Sequence, residues 1–302
     1  MGNNKNFEVI IIGGSYAGLS AAMTLGRSLR NVLIIDGGLP CNRQTPHSHN
    51  FITQDGIPPA EISSKAKLQV LNYETVSFVE DFAIKGKKSD KGFHITTEKG
   101  IEFIGKKIIF ATGIKDIMPN IKGFSECWGI SVIHCPYCHG YEFKGQKTGI
   151  MANGDKAIHV ASLVNNLTNT ISILTSGKED FNTEQLTKLN KHTINVVEEE
   201  VTEIEHSNGH ISNLIFKDGS KMKFDAVYAA LPFKQHSEIP ISLGCELTEQ
   251  GYIKVDSFQK TTIEGVFACG DNSTMMRSVA NAVANGNIAG AMVNMELTHE
   301  QF

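Results

Sequence analysis

The segment Glu8–Asp36 reads EVIIIGGSYAGLSAAMTLGRSLRNVLIID, and its pattern decides the fold. The apolar run at 8–12 predicts a strand buried on both faces, a glycine-rich turn follows, and the stretch 19–28 has the pattern of a helix. A second apolar run at 31–36 completes a β-α-β unit, and such units build parallel sheets. The sequence therefore predicts an α/β fold that begins with a dinucleotide-binding unit.

The turn after the first strand has the small residues that a dinucleotide pyrophosphate requires. Gly13 and Gly18 leave the backbone accessible and let the helix pack closely, while Ser15 replaces the middle glycine of G-x-G-x-x-G and adds a hydroxyl. Asp36 ends the next strand, close to the spacing of about 20 residues expected for a carboxylate that binds a ribose hydroxyl. We predict that these residues and Ala17 bind a dinucleotide.

The remaining chain contains a second unit of the same kind. Another buried strand with a tight turn is predicted at 106–113, and a second βαβ-like stretch runs through 147–175. Asn-Gly and Asp-Gly signals at 207–209 and 217–219 predict hairpins, and a helix rich in small residues is expected over 278–292. A chain of 302 residues therefore has two dinucleotide-fold-like units.

Bulk composition excludes several classes of function. The formal net charge is -4, so the chain lacks the concentrated basic surface that neutralises phosphates, and we expect no nucleic-acid partner. Its apolar runs fall short of the roughly 18 residues of a membrane span, so no membrane association is expected. The N-terminus leads into a strand without the features of a secretory signal, which predicts a cytoplasmic protein.

The pair in Cys135-Pro-Tyr-Cys138 calls for a chemical explanation. Six cysteines are spread through the chain, and the other four have the pattern of isolated small apolar residues. A two-residue spacing places both sulfurs within disulfide reach across one turn of helix. At a helix N-terminus a thiolate would also be stabilised, which lowers the thiol pKa.

Three other interpretations of this pair are weaker. C-x-x-C-H, completed by His139, is the attachment signature of c-type haem, which suits an exported protein. With His134 the cluster could bind zinc, although neighbours in sequence rarely converge on one tetrahedral ion. A buried, inert pair is the third possibility. We favour a redox-active dithiol.

The order of the motifs resembles the low-molecular-weight thioredoxin reductases, and more closely a branch that includes dithiol oxidases of disulfide natural-product biosynthesis. The matching stretches are GGSYAG at 13–18, ATG at 111–113, CPYCHG at 135–140 and GVFACGD at 265–271. The resemblance implies two Rossmann-like domains of the three-layer ββα type, the second inserted into the first. The FAD domain would comprise 1–115 and 238–302, the redox-active NAD(P)-like domain 116–237, and the protein would be a homodimer.

The resemblance also implies roles for single residues. Cys138 would face the flavin and Cys135 would exchange with substrate, while His139 stands where the reductases have an acid/base aspartate. A histidine titrates near neutrality, so we hypothesise that His139 moves the proton during thiol exchange. FAD contacts are implied for Arg43, Asn50, Thr112, Gly113, Gly270, Asp271, Ser278 and Val279. His47 and His49 could line the active site, although paired loop histidines are more often solvated.

Departures from the family pattern concern the second dinucleotide site. Its turn reads ANGDKA at 152–157 and lacks the first glycine, and TSGK at 175–178 replaces the basic residues that would bind a 2′-phosphate. Asp155 inside the turn would repel a pyrophosphate, and one lysine is a poor substitute for an arginine clamp. The sequence therefore argues against NADPH and leaves its use uncertain.

The leading hypothesis is an FAD-dependent dithiol/disulfide oxidoreductase that acts through Cys135 and Cys138. Its substrate would be a small thiol or disulfide, or a thioredoxin-like protein, and the direction of electron flow is open. Without NADPH, electrons would run from a dithiol to FAD and on to oxygen, which defines an oxidase. An alternative of another class is a flavin redox sensor that does not turn over.

Overall fold

The computed structural model describes residues 5–302, and the chain separates into two compact units. The first unit combines the described residues up to Arg43 with Phe51–Lys115 and Phe233–Phe302. The second contains Gln44–Asn50 and Asp116–Pro232. The chain therefore passes from the first unit into the second and back again.

The first unit is built on a mainly parallel sheet. Strands β3, β2, β1 and β6 lie side by side in that order and run parallel, and β17 pairs in parallel with the end of β6. The β4–β5 hairpin joins antiparallel to the start of β6. The strands are β1 (Asn6–Ile12), β2 (Val32–Asp36), β3 (Val76–Glu80), β4 (Ala83–Ser89), β5 (Gly92–Thr97), β6 (Glu102–Phe110), β7 (Ile114–Asp116), β16 (Phe233–Gln235) and β17 (Val266–Ala268).

Two helices of this unit pack tightly on one face of the sheet. The helices are α1 (Tyr16–Arg27), α2 (Pro59–Leu71), α7 (Ile239–Ser242) and α8 (Val279–Gln301). A Cβ at Gly286 of α8 would overlap the carbonyl oxygen of Ala17 in α1, so the two helix backbones are close enough to require glycine. The Ser20 hydroxyl donates to the Val283 carbonyl oxygen at 2.7 Å across the same crossing. Small residues in α8 therefore serve helix packing.

The second unit has three layers of its own. A parallel sheet in the order β11, β10, β9, β15, β8 is accompanied by an antiparallel three-stranded sheet, β12, β13, β14, and by helices. The strands are β8 (Val132–Ile133), β9 (Thr148–Met151), β10 (Ile171–Leu174), β11 (Asn195–Val197), β12 (Val201–Ser207), β13 (His210–Phe216), β14 (Lys221–Lys223) and β15 (Ala226–Ala229). The helices are α3 (Phe124–Cys127), α4 (Pro136–His139), α5 (Gly154–Val164) and α6 (Thr183–Lys191).

These elements confirm the predicted α/β class and both β-α-β units. The hairpin predictions are also confirmed, since the signals at 207–209 and 217–219 join β12 to β13 and β13 to β14. The last helix was predicted too short, because α8 continues to Gln301 with buried positions as far as Leu297. None of the described helices combines the length and hydropathy of a membrane span.

The unit boundaries differ from the sequence-based ones in two places. The return crossing lies at Pro232/Phe233, before the predicted position 238. Residues 44–50, expected in the FAD domain, belong to the second unit. The physical reason is local anchoring, since the Gln44 side chain donates to the Trp128 carbonyl oxygen at 2.8 Å and Thr45 is buried.

Candidate active site

In the first unit, four distant stretches meet at one edge of the parallel sheet. The register pairs Ile12 with Ile35 and Phe110, and Phe110 with Ala268, so β1, β2, β6 and β17 end side by side. The carboxyl ends of parallel strands are where such sheets bind ligands. Topology therefore gathers most of the predicted cofactor residues, namely Gly13, Ser15, Ala17, Gly18, Asp36, Thr112, Gly113, Gly270 and Asp271.

The turn between β1 and α1 has the geometry of a phosphate-binding loop. Gly13 adopts a φ of 106°, and a Cβ there would overlap the Ala111 carbonyl oxygen. A Cβ at Gly18 would overlap the Gly13 carbonyl oxygen. Ser15 is the N-cap of α1, and its side chain makes no capping bond to the described chain. The first amides of a 12-residue helix therefore face this turn, as anion binding requires.

The Asp36 carboxylate holds the turn after β1 in place and gives this part of the site a negative charge. One carboxylate oxygen accepts from the Gly14 amide at 2.8 Å and the other from the Gly38 amide at 3.1 Å. A cavity of about 480 Å³ opens next to this carboxylate and includes Lys67, Phe78 and Phe82 in its lining. An aromatic wall beside a carboxylate suits the nucleoside end of a dinucleotide.

The other predicted cofactor residues of this unit lie in different surroundings. Ser278 caps α8 by accepting from the Asn281 amide at 3.1 Å, and Val279 is the first residue of that helix. Asp271 lies 3.7 Å from the Arg277 Nε atom. Arg43 is exposed and its guanidinium donates to the neighbouring Pro40 carbonyl oxygen at 3.1 Å.

Of the expectations about this unit, the one about Cys41 requires correction. The Ala17 side chain is buried and faces Gly270, so its methyl belongs to the core, and the predicted cofactor contact of Ala17 stays a prediction. Cys41 was expected to be an isolated apolar residue, but it is exposed and its sulfur lies 3.7 Å from a carboxylate oxygen of Asp271. Asn50 falls in the second unit, where it adopts a φ of 59°.

Sequence reasoning missed a buried amide in this unit. The Asn272 side chain donates to the Phe110 carbonyl oxygen at 2.8 Å and contacts the Thr112 hydroxyl at 3.3 Å. These contacts join the ends of β6 and β17. The signal was available, because Asn272 directly follows the Gly270-Asp271 motif.

In the second unit, the cysteine pair occupies a short helical turn. Cys135 is the N-cap of α4, and the Cys135 and Cys138 sulfurs lie 2.6 Å apart. Both residues are partly exposed, and Tyr137 between them is exposed. Little movement is needed to join the two sulfurs. The expected helix-terminus effect on the thiol is weak, because α4 has only four residues in the described chain.

Three of the other four cysteines lack the exposure of this pair. Cys127, Cys245 and Cys269 are buried. Burial raises the pKa of the Cys127 thiol to about 11 and that of Cys269 to about 12, which keeps both protonated and unreactive. Across residues 5–302, no three potential ligands converge in a way that could hold a metal ion.

A group of ionisable residues surrounds the cysteine turn. Burial lowers the pKa of His139, the neighbouring His49 acts in the same direction, and the Glu142 carboxylate opposes both. The His139 and His49 rings meet edge to face with centroids 6.4 Å apart. Burial also raises the pKa of Tyr228, and so do the charges of Cys135 and Glu142. His139 is therefore neutral near pH 7 and can accept a proton.

The start of α5 corresponds to the predicted second dinucleotide turn, and the chain itself covers it. The Asn153 side-chain oxygen accepts from the amides of Gly154 and Asp180, both at 2.9 Å, while its amide nitrogen donates to the Lys178 carbonyl oxygen at 3.0 Å. Asp155 accepts from the Gln185 side chain at 2.6 Å. The acidic loop after β10 is therefore fixed to the helix start, where a pyrophosphate would need free amides.

Replacing Asn153 tests this closure. We expect Asn153→Ala to lower the free energy of unfolding by about 1 kcal/mol, because the helix loses its N-cap and the loop loses its anchor. Urea unfolding of the full chain measures the change. Asn165→Ala, at the opposite end of α5, is the matched control and should cost less; equal effects would contradict an anchoring role for Asn153.

Comparison with known proteins agrees with this arrangement. Residues 7–286 match the family model of the pyridine nucleotide-disulphide oxidoreductases. The chain is 32% identical to the thioredoxin reductase tcpT of Claviceps purpurea, over 98% of this chain and 96% of that protein. It is 25% identical to the thioredoxin reductase of Bacillus subtilis, over 97% and 95% of the two chains. The structure of an oxidoreductase from Agrobacterium tumefaciens aligns with a TM-score of 0.91 and 35% identity, over 97% of this chain and 99% of that one.

The chain belongs to the pyridine nucleotide-disulphide oxidoreductase family. Within that family it is an oxidoreductase of the thioredoxin-reductase-like type, as the motifs at 13–18 and 135–140 predicted.

Proposed function

We propose that this protein is an FAD-dependent dithiol/disulfide oxidoreductase that exchanges electrons with its substrate through Cys135 and Cys138. The observation that carries the proposal is the 2.6 Å separation of two partly exposed sulfurs on a turn that also bears His139. The buried cysteines lack this combination of access and a neighbouring base. The pair therefore has the arrangement of a reversible disulfide.

The first unit supports FAD as the cofactor. Gly13, Gly14 and the first turn of α1 would bind the pyrophosphate, and the cavity beside Asp36 would hold the adenosine end. Asp271, Thr112 and the start of α8 would hold the flavin end. Bound FAD would supply a two-electron acceptor or donor, which the side chains of this protein lack.

The second unit supplies the thiol chemistry. Cys135 would exchange with the substrate and Cys138 would be the sulfur paired with the flavin, as the family pattern implies. His139 would take the proton from the attacking thiol, because its imidazole is neutral near pH 7 and lies beside the pair. The substrate would be a small dithiol or a thioredoxin-like protein.

We further propose that electrons enter from a dithiol rather than from NADPH. The closed start of α5 supports this direction, because the Asn153 side-chain oxygen accepts from the Gly154 amide, which a pyrophosphate would bind, and also accepts from the Asp180 amide, which ties the acidic loop to the helix start. Acidic side chains around the same loop, including Asp155 and Glu179, would repel a phosphate. Oxygen or another acceptor would then receive the electrons, which makes the protein a dithiol oxidase.

An anaerobic titration of the purified protein tests both parts of the proposal. Dithiothreitol should bleach the flavin absorbance, whereas NADPH and NADH at the same concentration should leave it unchanged. Rapid bleaching by NADPH would overturn the proposed direction, and a colourless protein would overturn the proposed cofactor. A flavin redox sensor, the second candidate, is favoured by the same closed turn and would stop after one equivalent of dithiol in air.

The sequence and the resemblance also support proposals about the cellular location and the oligomeric state of the protein. We expect a cytoplasmic homodimer, as sequence and family pattern indicate. Equilibrium sedimentation of the flavin-loaded protein would measure a mass near twice that of the 33.0 kDa chain. A mass equal to one chain would contradict the dimer.

A further inference from the structure

Three ionisable side chains form a row beside the cysteine turn. Glu142 lies in the 3₁₀ turn Tyr141–Phe143 that follows α4, and its carboxylate oxygen is 3.5 Å from the His49 Nε2 atom. The His49 ring in turn meets the His139 ring edge to face, with centroids 6.4 Å apart. His139 directly follows Cys138 in the chain. The row therefore runs Glu142, His49, His139, and ends at the residue that follows Cys138.

Exposure falls along this row from one end to the other. The Glu142 side chain is 37% exposed and that of His49 is 21% exposed. Both ring nitrogens of His139 are buried, and a hydrogen bond with the His47 backbone opposes the lowering of the His139 pKa by burial. His139 is therefore shielded from direct proton exchange with water. The side chains of His49 and Glu142 are partly exposed to water.

The loop that carries His49 is held firmly in place. Gln44 donates to the Trp128 carbonyl oxygen at 2.8 Å, and both Thr45 and Ser48 are buried. A loop anchored at its start and middle presents His49 in one position. Its distance from His139 is therefore a property of the fold rather than of a solvated loop.

We propose that His49, held by Glu142, carries protons between solvent and His139 and so acts as a positioning residue for thiol exchange. This inference rests on the proposed dithiol/disulfide function. It assigns the segment 44–50 a role in the redox-active unit, beyond the His139 role expected from the family pattern.

The chemistry of the exchange creates the need for such a route. A substrate dithiol loses one proton and attacks Cys135, a new S–S bond forms, and the Cys135–Cys138 bond breaks to leave a Cys138 thiolate. The second substrate thiol then loses its proton and displaces the Cys135 sulfur as a thiolate. Two electrons have moved to the cysteine pair, and two protons have left the substrate.

His139 can hold only one of these two protons at a time. A proton that is not returned to a cysteine sulfur must leave His139 before the second thiol reacts. His49 is a neighbouring imidazole that lies nearer to solvent, and its Nε2 atom is 3.5 Å from a Glu142 carboxylate oxygen. The groups that share this electrostatic environment are Cys135, Cys138, Glu142, His47, His49 and Tyr228.

Variants of His49 and Glu142 test the relay. The probe is dithiothreitol, and the readout is the rate at which the Cys135–Cys138 disulfide opens, measured by rapid mixing, alkylation and mass spectrometry at several pH values. We expect His49→Gln to slow opening at least about tenfold near pH 7 and imidazole buffer to restore most of the rate. Glu142→Gln should shift the pH profile toward acid, because the carboxylate that raises the pKa of His139 is removed.

Control measurements separate a relay from a structural role. His192 is an exposed histidine after α6, and in His192→Gln the Cys135–Cys138 disulfide should open at the wild-type rate. All variants should keep the wild-type melting temperature. Wild-type rates in His49→Gln, or a loss that imidazole does not restore, would overturn the relay while the proposed function stands. A wild-type disulfide that dithiothreitol opens without flavin bleaching would overturn the proposed function, and the relay with it.

Discussion

Cys138→Ser should keep its fold and its FAD but lose electron exchange between dithiol and flavin by at least about 10³-fold. The Cys135 and Cys138 sulfurs are 2.6 Å apart, so either thiol can close a disulfide with the other. A serine hydroxyl neither forms nor leaves such a bond. The measurement is the rate of flavin bleaching by dithiothreitol under anaerobic conditions, together with the flavin spectrum before mixing.

A second cysteine variant controls for the loss of a thiol. Cys245→Ala removes a buried sulfur of the first unit that contacts the Thr261 hydroxyl at 3.5 Å. It should lower stability modestly and leave bleaching unchanged. Full turnover in Cys138→Ser would show that the electrons follow another route, and the role given to the pair would be wrong.

Gly18→Ala should prevent the first unit from folding around its cofactor, at a cost of about 3 kcal/mol or more. A Cβ at Gly18 would overlap the carbonyl oxygen of Gly13, and backbone atoms cannot move aside as a side chain can. Shifting them would displace the turn that is proposed to bind the pyrophosphate. The measurements are the melting temperature and the FAD content of the purified variant.

Gly26→Ala is a matched control in the same helix. A Cβ there would lie 2.9 Å from Tyr73 Cβ and Val76 Cγ2, so both residues must shift, but no carbonyl oxygen of the phosphate-binding turn is displaced and alanine favours the helix by about 1 kcal/mol. We expect near-normal FAD content and a smaller loss of melting temperature than for Gly18→Ala. If both variants behaved alike, the close contact between Gly13 and Gly18 would not be what makes glycine necessary at 18.

The position of the proposed cofactor residues at one edge of the sheet could be predicted from sequence because the signals are local. Strand, turn and helix occur consecutively in Glu8–Asp36. Parallel pairing of the strands is then enough to bring the ends of β1, β6 and β17 together. The CPYC pair was readable for the same reason, since its spacing fixes the distance between the sulfurs. The damaged turn at 152–157 was also visible in the residues themselves.

Long-range contacts could not be read in this way. The place of residues 44–50 in the second unit depends on a hydrogen bond between Gln44 and Trp128, which no periodicity predicts. The approach of His49 to Glu142 follows from that placement. The hydrogen bond from the Asp180 amide to the Asn153 side chain likewise requires the loop after β10 to fold back onto the start of α5. Composition alone does not show this contact.

A reductive titration with dithionite, in the absence of oxygen, tests most directly whether a redox-active disulfide operates beside a flavin. The wild-type protein should take up about four electrons per chain, two for the disulfide and two for the flavin, and Cys138→Ser about two. An equal uptake by the two proteins would mean that Cys135 and Cys138 do not form the redox pair, and the proposed function would fail.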